Sequence, residues 1–269
     1  MAVNEQESLE FNSDLALARL KPLLYDIGEK VLAMRESGDL SIRTKKDFAN
    51  IVTRADTLSE KLIVDHIKQF YPSHSIRGEE GTNVKSSYQY EWIVDPIDGT
   101  TNFANGMDFF GISVGMYNCG RGEFGMMYFP ALGKLAYAIK GQGAFINDKQ
   151  VAIAITDKTL KESLLATDLI RGTDDVFSKL RANSRNVLVG GSFTAESLWL
   201  IEGKIDAYIH TGATPYDLAA ARIIVEEAGG VSSGIKNDGI NLNDEQIPII
   251  LAKSQGLVRE LRDIVNVRS

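Results

Sequence analysis

Two aspartates stand three residues apart in the run Trp-Ile-Val-Asp-Pro-Ile-Asp-Gly-Thr-Thr-Asn-Phe at 92–103. The apolar residues before Asp95 predict a buried strand, and Pro96 predicts its end because proline lacks a backbone donor. Two carboxylates on one rigid turn repel each other unless a cation lies between them. Oxygen ligands of this kind are those that Mg²⁺ prefers. The alternative is a capped turn, in which Asp98 and Thr100 only bond the local backbone.

Three further acids lie at the ends of predicted elements. Glu79 follows a short strand-like run and stands in the segment Gly-Glu-Glu-Gly at 78–81. Asp56 and Asp217 each come three residues after a threonine at a predicted helix start. Taken singly, Glu79 could be a surface acid and the two aspartates could be helix caps. Together, five acids at element ends favour one acidic site, because functional residues are often placed on loops at the edge of a scaffold.

Composition excludes several classes of protein. The chain has 269 residues with 29 Lys+Arg and 36 Asp+Glu, so its net charge is −7. This balance argues against a nucleic-acid partner, which ordinarily meets a basic surface. Cys119 is the single cysteine, which excludes an intramolecular disulfide and a cysteine-based zinc site. No apolar run reaches the roughly 20 residues that span a bilayer, and the polar N-terminus is unlike a signal peptide. We expect a cytoplasmic protein with no membrane partner.

The pattern of elements predicts a mixed α/β fold. Apolar residues at helical spacing predict helices over 13–36 and 54–70. Further on, β-like runs punctuated by glycine predict antiparallel hairpins. After residue 156, strands alternate with helices. We expect an N-terminal α+β half over 1–155 with an antiparallel sheet and the metal-binding motifs. A C-terminal α/β half over 156–269 should pack with it as one unit, because no linker separates them.

The run at 92–103 resembles the first signature of the inositol monophosphatase family. The run Tyr-Asp-Leu-Ala-Ala-Ala-Arg-Ile-Ile-Val-Glu-Glu-Ala-Gly-Gly at 216–230 resembles the second signature. Lys45, the segment 50–56 and the segment 78–80 occur in the family's order and approximate spacing. The resemblance therefore covers nearly the whole chain.

This resemblance implies a fold and a chemistry. The implied fold is an α-β-α-β-α five-layer sandwich of the inositol monophosphatase and fructose-1,6-bisphosphatase type. The implied activity is Mg²⁺-dependent, lithium-sensitive hydrolysis of a small phosphorylated metabolite by attack of metal-activated water. Many members of the family are homodimers, so a homodimer is expected here as well.

The resemblance also implies which residues hold the metal ions. Glu79, Asp95 and the Ile97 carbonyl would hold one Mg²⁺. A second ion would share Asp95 and add Asp98 and Asp217. A weaker third site would depend on Glu79.

The same matching of positions implies catalytic and substrate residues. Asp56 would hydrogen-bond Thr100, and Thr100 with Glu79 would orient and deprotonate the attacking water. Backbone N–H groups at the start of a helix would bind the phosphate. The residues assigned to the substrate are Asp98, Gly99, Thr100, Thr101, Gly191, Ser192, Phe193, His210 and Asp217.

The chain departs from the family's pattern at three points that bear on the site. Asn50 replaces an aspartate common in the family, which weakens the case for the third metal ion. Phe193 and His210 fall where inositol-specific members carry a small residue and a glutamate. Either both are ordinary packing residues, or the preferred substrate is a bisphosphate or nucleotide-like phosphate instead of inositol 1-phosphate.

Other functions fit the residues less well. A haloacid-dehalogenase-type phosphatase needs Asp-x-Asp, whereas here the spacing is Asp-x-x-Asp. The phosphate-binding glycine loop of nucleotide-hydrolysing enzymes does not occur in the sequence. Fructose-1,6-bisphosphatase, histidinol-phosphatase and 3′-phosphoadenosine-5′-phosphate phosphatase remain open on the same scaffold. A non-catalytic binding protein would be favoured by loss of a metal ligand, and all five acids are present.

Overall fold

The structure, a computed structural model, describes residues 11–38, 40–45, 51–168 and 174–266. Asn50 therefore lies outside the described residues. In these ranges no helix is both long enough and apolar enough to cross a membrane.

Most strands of the first half form one eight-stranded sheet. A separate two-stranded pair precedes it, made of β1 (Arg43–Thr44) and β2 (Ile51–Val52). The strands of the sheet are β3 (Ser75–Gly78), β4 (Asn83–Val84), β5 (Tyr90–Asp98), β6 (Gly111–Asn118), β7 (Arg121–Phe129), β8 (Lys134–Ile139), β9 (Gly143–Ile146) and β10 (Lys149–Val151). Their order is β10-β9-β8-β7-β6-β5-β3-β4. Only the β3–β5 pair is parallel, so the expected antiparallel hairpins are confirmed.

The second half contains a five-stranded mixed sheet. Its strands are β11 (Leu164–Thr167), β12 (Asn186–Leu188), β13 (Ala207–Ala213), β14 (Val231–Gly234) and β15 (Ile247–Ala252). The order is β12-β11-β13-β15-β14, with the first three strands parallel and the other pairs antiparallel. The predicted division between 155 and 156 falls between the two sheets, and the packing of the two halves as one unit stays a prediction.

Helices cover and separate the two sheets. They are α1 (Ser13–Ser37), α2 (Arg54–Phe70), α3 (Thr100–Ala104), α4 (Asp174–Asn183), α5 (Phe193–Ile201), α6 (Pro215–Glu227) and α7 (Gln255–Asn266). Helices α1 and α2 pack on the outer face of the large sheet, and α5 and α6 lie between the sheets. Helices α4 and α7 pack beyond the small sheet. The predicted α-β-α-β-α layering is confirmed.

Helix α6 approaches the large sheet unusually closely. A Cβ atom on Gly115 of β6 would lie 2.8 Å from the Ala219 carbonyl carbon, and one on Gly125 of β7 would lie 2.8 Å from the Ala220 oxygen. The Tyr117 hydroxyl donates to the Ala219 carbonyl oxygen at 2.8 Å. Glycine in these strands therefore lets the helix backbone seat directly on the sheet. This contact fixes the position of the helix whose first turn carries Asp217.

We predict that Gly115→Ala destabilises the protein by about 1–3 kcal/mol, because the added methyl group must displace the α6 backbone. Gly256→Ala in α7 is the matched control, since a Cβ there would meet only the Ser254 hydroxyl at 3.6 Å. The control should be neutral or stabilising by up to about 1 kcal/mol. Urea denaturation of both variants measures the effect, and equal midpoints would contradict the close approach.

Candidate metal centre and active site

The segment from Asp95 to Asp98 lies at the end of β5 in the middle of the large sheet. Pro96 does not end this strand, so that expectation was wrong. Asp95 pairs with Ser113 and Asp98 pairs with Gly111, which leaves one extra residue on β5. A bulge of this kind tolerates the missing N–H of proline and redirects the side chains beside it.

Asp95, Asp98 and Asp217 converge on one point. One carboxylate oxygen from each lies within 4.8 Å of the others. Asp95 is 1% exposed and Asp98 is 7% exposed. The first two aspartates come from β5 and the third from the first turn of α6, so residues more than 100 positions apart in the sequence meet here.

The electrostatics of this cluster favour a bound cation. Burial, followed by the charges of Glu79 and the other two aspartates, raises the pKa of Asp95 well above its usual range. Burial also raises the pKa of Asp98, against hydrogen bonds that oppose the shift. Burial and the charges of Asp98 and Glu79 raise the pKa of Asp217 to about 8. Two buried carboxylates and one half-buried carboxylate that destabilise one another's charge form a donor set suited to a hard divalent cation.

Asp217 is both a helix cap and a member of the cluster. Its Oδ2 accepts the Thr214 N–H at 2.7 Å and the Thr214 hydroxyl at 2.8 Å, while its own N–H donates to that hydroxyl oxygen. This capping box uses one carboxylate oxygen and orients the side chain. Capping of α6 and membership of the acidic cluster are therefore compatible for Asp217.

Asp56 repeats the arrangement at the start of α2. Its Oδ2 accepts the Thr53 N–H at 2.8 Å and the Thr53 hydroxyl at 2.5 Å. Its Oδ1 lies 3.0 Å from the Thr100 hydroxyl, which is also 2.9 Å from the Ile97 carbonyl oxygen. Burial raises the pKa of Asp56 against these hydrogen bonds. The predicted contact between Asp56 and Thr100 is present in the structure.

Asp98 is anchored by the N-terminus of α5. Its Oδ2 accepts the Ser192 hydroxyl at 2.6 Å and both the N–H and the hydroxyl of Thr194, at 2.6 and 2.5 Å. Its Oδ1 accepts the Phe193 N–H at 3.2 Å. Free backbone N–H groups at a helix start stabilise an anion, so this contact holds Asp98 across the two halves.

Glu79 interacts with Asp95 and Asp217 but is not among the acids whose oxygens meet within 4.8 Å. Its Oε1 is 2.9 Å from the Lys45 Nζ. The same amino group contacts the Glu80 carboxylate. Burial raises the pKa of Glu80 to about 7. The positive charge that faces Glu79 and Glu80 in the structure is therefore the Lys45 ammonium group.

The residues that follow Asp98 form a short helix start. Gly99 has a φ of 83°, and a Cβ there would lie 2.9 Å from the Ser192 Cβ and 3.1 Å from the Phe109 carbonyl oxygen. Thr100 and Thr101 begin α3. Its N-cap residue is Gly99, so no N-cap side chain accepts a hydrogen bond from the first turn. Only glycine fits this conformation and space without strain.

Four of the residues predicted to contact the substrate lie at the start of α5 and on β13. Gly191 has a φ of 75° and lies near the Asn102 side chain. Ser192 and Phe193 are buried and bind Asp98 through donors already described. The Phe193 ring packs on the rings of Tyr208 and His210, with centroids 5.0 and 5.4 Å away. His210 Nδ1 accepts the Gly212 N–H at 3.2 Å, so its other nitrogen carries the proton when the ring is neutral.

Several residues that support the site were missed in the sequence. Thr194 binds Asp98, and Asn102 donates to the carbonyl oxygens of Phe109 and Gly190 at 2.8 Å each. The buried Glu196 accepts the Gly190 N–H at 2.7 Å, and burial raises the pKa of Glu196 to about 8. Ser59 and Glu60 of α2 are also buried. Glu60 could have been found from the sequence, because it lies at helical spacing from the apolar residues that predict the buried face of α2.

We predict that the metal-free protein loses stability as the pH rises. The pKa of Asp217 is about 8 in the folded state and lower in the unfolded state, so its contribution is complete below about pH 4 and is lost as the pH passes 8. Melting temperatures in excess chelator between about pH 6 and pH 9 test this. Asp217→Asn cannot titrate in this range and should show a smaller decline. An unchanged decline would contradict the assignment to Asp217.

Comparison with known proteins gives consistent matches. The inositol monophosphatase family model matches residues 17–265. A fructose-1,6-bisphosphatase/inositol-1-monophosphatase from Thermotoga maritima is 33% identical over 192 residues, which cover 71% of this chain and 74% of that protein. A Nus factor SuhB from Pseudomonas aeruginosa is 30% identical over 218 residues, covering 77% and 80%.

A solved structure agrees with these sequence matches. The structure of an IMPase from Thermotoga maritima has a TM-score of 0.83 at 29% sequence identity and covers 95% of this chain and 97% of that chain. The family model spans nearly all of the described residues, including the two signature runs at 92–103 and 216–230. The chain belongs to the inositol monophosphatase family.

Proposed function

We propose that this protein is a Mg²⁺-dependent hydrolase of phosphate monoesters that acts on a small phosphorylated metabolite. The convergence of Asp95, Asp98 and Asp217 carries the proposal, because these carboxylates come from distant parts of the chain and meet despite their mutual repulsion, two of them buried and Asp217 half-buried. Membership of the inositol monophosphatase family supports the same activity.

The residues that would hold the metal ions follow from this cluster. Asp95 would be shared by two ions, with Glu79 and the Ile97 carbonyl on one side and Asp98 with Asp217 on the other. Bound ions of this kind neutralise a phosphate dianion, lower the pKa of a bound water and stabilise the leaving oxygen. A weaker third ion would depend on Glu79, whose carboxylate faces Lys45 in the structure.

Thr100 and Asp56 would position the attacking water. The Asp56 carboxylate is held by Thr53 through one oxygen, which leaves its other oxygen facing the Thr100 hydroxyl. A hydroxyl held in this way can accept a hydrogen bond from water and pass its own proton toward Asp56. The water gives up a single proton in this step, and Glu79 would orient the same water and share with Thr100 in accepting that proton.

The turn at Gly99 would bind the phosphate group. The backbone N–H groups of Gly99, Thr100 and Thr101 lie at the start of α3, adjacent to Asp98. N–H groups at a helix start are suited to phosphate oxygens. Positioning of the phosphate in line with the water would supply much of the rate enhancement.

The substrate preference is proposed from His210. Burial lowers the pKa of His210, while the charge of Asp168 opposes that shift. A neutral ring whose Nδ1 accepts the Gly212 N–H offers one donor, whereas a glutamate offers acceptors to sugar hydroxyls. A bisphosphate or nucleotide-like phosphate would use this donor better than inositol 1-phosphate. The Phe193 ring is buried, so the argument rests on His210 alone.

We predict that His210→Glu shifts selectivity toward inositol 1-phosphate. The ratio of kcat/KM for fructose 1,6-bisphosphate over inositol 1-phosphate should fall by about 10-fold or more, since a lost polar contact changes selectivity strongly. His210→Gln is the matched control because it keeps the size and polarity without a charge. A preference for inositol 1-phosphate in the unaltered protein, together with no shift in His210→Glu, would contradict this proposal.

The alternative from a different functional class, less favoured than another phosphatase substrate, is a binding protein without catalysis. Four relatives, from three bacterial species, carry the name Nus factor SuhB instead of a phosphatase name. The net charge of −7 argues against nucleic-acid binding by this chain. Retention of every acid that would hold a metal ion favours catalysis.

We further propose a homodimer, which analytical ultracentrifugation tests directly.

We predict that phosphate release requires Mg²⁺ and that Asp95→Asn reduces it by about 10³-fold or more, because Asp95 would serve two ions. The assay is phosphate release from a panel of phosphorylated metabolites, with and without excess chelator. Asp148→Asn, an exposed acid in the turn between β9 and β10, is the control and should retain full activity. Undiminished release in chelator would refute the metal-dependent mechanism.

A further inference from the structure

Helix α2 presents three buried polar side chains to the segments that build the site. Asp56, Ser59 and Glu60 are 0%, 0% and 5% exposed, and their spacing places them on one face of the helix. Asp56 contacts Thr100, and the Ser59 hydroxyl donates to the Pro96 carbonyl oxygen at 3.0 Å. The third member of this row, Glu60, has no part in the roles assigned above.

The Glu60 carboxylate lies inside the turn that carries Glu79. Its Oε2 accepts the Glu80 N–H at 2.7 Å. Its Oε1 accepts the Thr82 N–H at 3.1 Å and the Thr82 hydroxyl at 2.7 Å. Both oxygens are therefore engaged by the residues that flank Glu79 on its C-terminal side.

Close packing fixes the same turn from the other end. A Cβ atom on Gly78 would lie 2.5 Å from the Glu60 carboxyl carbon, so the chain passes directly over the carboxylate. The Gly78 N–H donates to the Thr82 carbonyl oxygen at 2.8 Å, and the Glu79 N–H donates to the Val94 carbonyl oxygen at 3.1 Å. The turn is thus closed on itself, joined to β5 and seated on Glu60.

We propose that Glu60 is a positioning residue that sets Mg²⁺ affinity by holding the 78–82 turn, and with it the Glu79 carboxylate, against Asp95. The inference rests on the proposed function, because it takes Glu79 as a metal ligand. Hydrogen bonds to a buried ionised acceptor are stronger than neutral ones, and an N–H left without its acceptor there is costly. Loss of this carboxylate would therefore release the turn even though Glu60 itself contacts no ion.

Glu60→Gln tests the inference with a minimal change in shape. Glutamine has one acceptor oxygen, so either the Glu80 N–H or the Thr82 pair loses its partner. Glu227→Gln is the matched control, because the two Glu227 oxygens accept the Gly141 and Gly143 N–H groups at 3.0 Å each in a turn at the far end of α6. Thr82→Val, which removes only one hydroxyl donor, is the milder variant if Glu60→Gln does not fold.

The primary measurement is Mg²⁺ affinity by calorimetry, with kcat at saturating Mg²⁺ and the melting temperature in chelator beside it. We expect Mg²⁺ to bind about 10-fold more weakly to Glu60→Gln, about threefold more weakly to Thr82→Val, and normally to Glu227→Gln. A general structural role would lower the melting temperatures and leave the affinity unchanged, which would overturn the inference.

The outcomes separate this inference from the proposed function. Normal affinity in Glu60→Gln with Mg²⁺-dependent hydrolysis in the unaltered protein would refute the role of Glu60 alone. Weakened affinity in a protein that hydrolyses no phosphate ester would refute the proposed function and leave the role of Glu60 supported. If the unaltered protein binds no Mg²⁺, both are refuted.

Discussion

The structure depends on the convergence of three carboxylates at one point, two of them buried and the third half-buried. Asp95, Asp98 and Asp217 lie within reach of a single ion, and burial raises the pKa of each because the charged form loses water. Two like charges at such distances interact far more strongly in the protein interior than in water. Without a cation the cluster must take up protons, and with one it becomes a binding site.

Helix N-termini provide most of the restraint. Helix α6 holds Asp217 through Thr214, α5 holds Asp98 through Thr194, and α2 holds Asp56 through Thr53. In Asp56 and Asp217 the capping partner engages one carboxylate oxygen and leaves the other for the site. The cap therefore also sets the direction of the second carboxylate oxygen in both residues. The close contact of α6 with glycines of the large sheet extends this restraint into the core.

Local patterns in the sequence predicted much of this, and tertiary contacts supplied the rest. Helix α2 was predicted with its observed ends, and the acids were found because each stands at an element boundary. The strand through Pro96 was mispredicted because a bulge depends on the partner strand. The bond between Asp98 and Thr194 joins residues 96 positions apart, and the Glu60 contact with Thr82 depends on how a helix meets a turn. Neither leaves a periodic signal in the chain.

Proton release on Mg²⁺ binding shows directly whether the acidic cluster is a cation site. The pKa of Asp217 is about 8 in the metal-free protein, so this carboxyl group is largely protonated near pH 7. Calorimetric titration at about pH 7 in two buffers of different ionisation enthalpy measures the protons displaced per ion bound. We expect binding with net release of protons to the buffer. Mg²⁺ binding with no proton release, or no binding at all, would contradict the account.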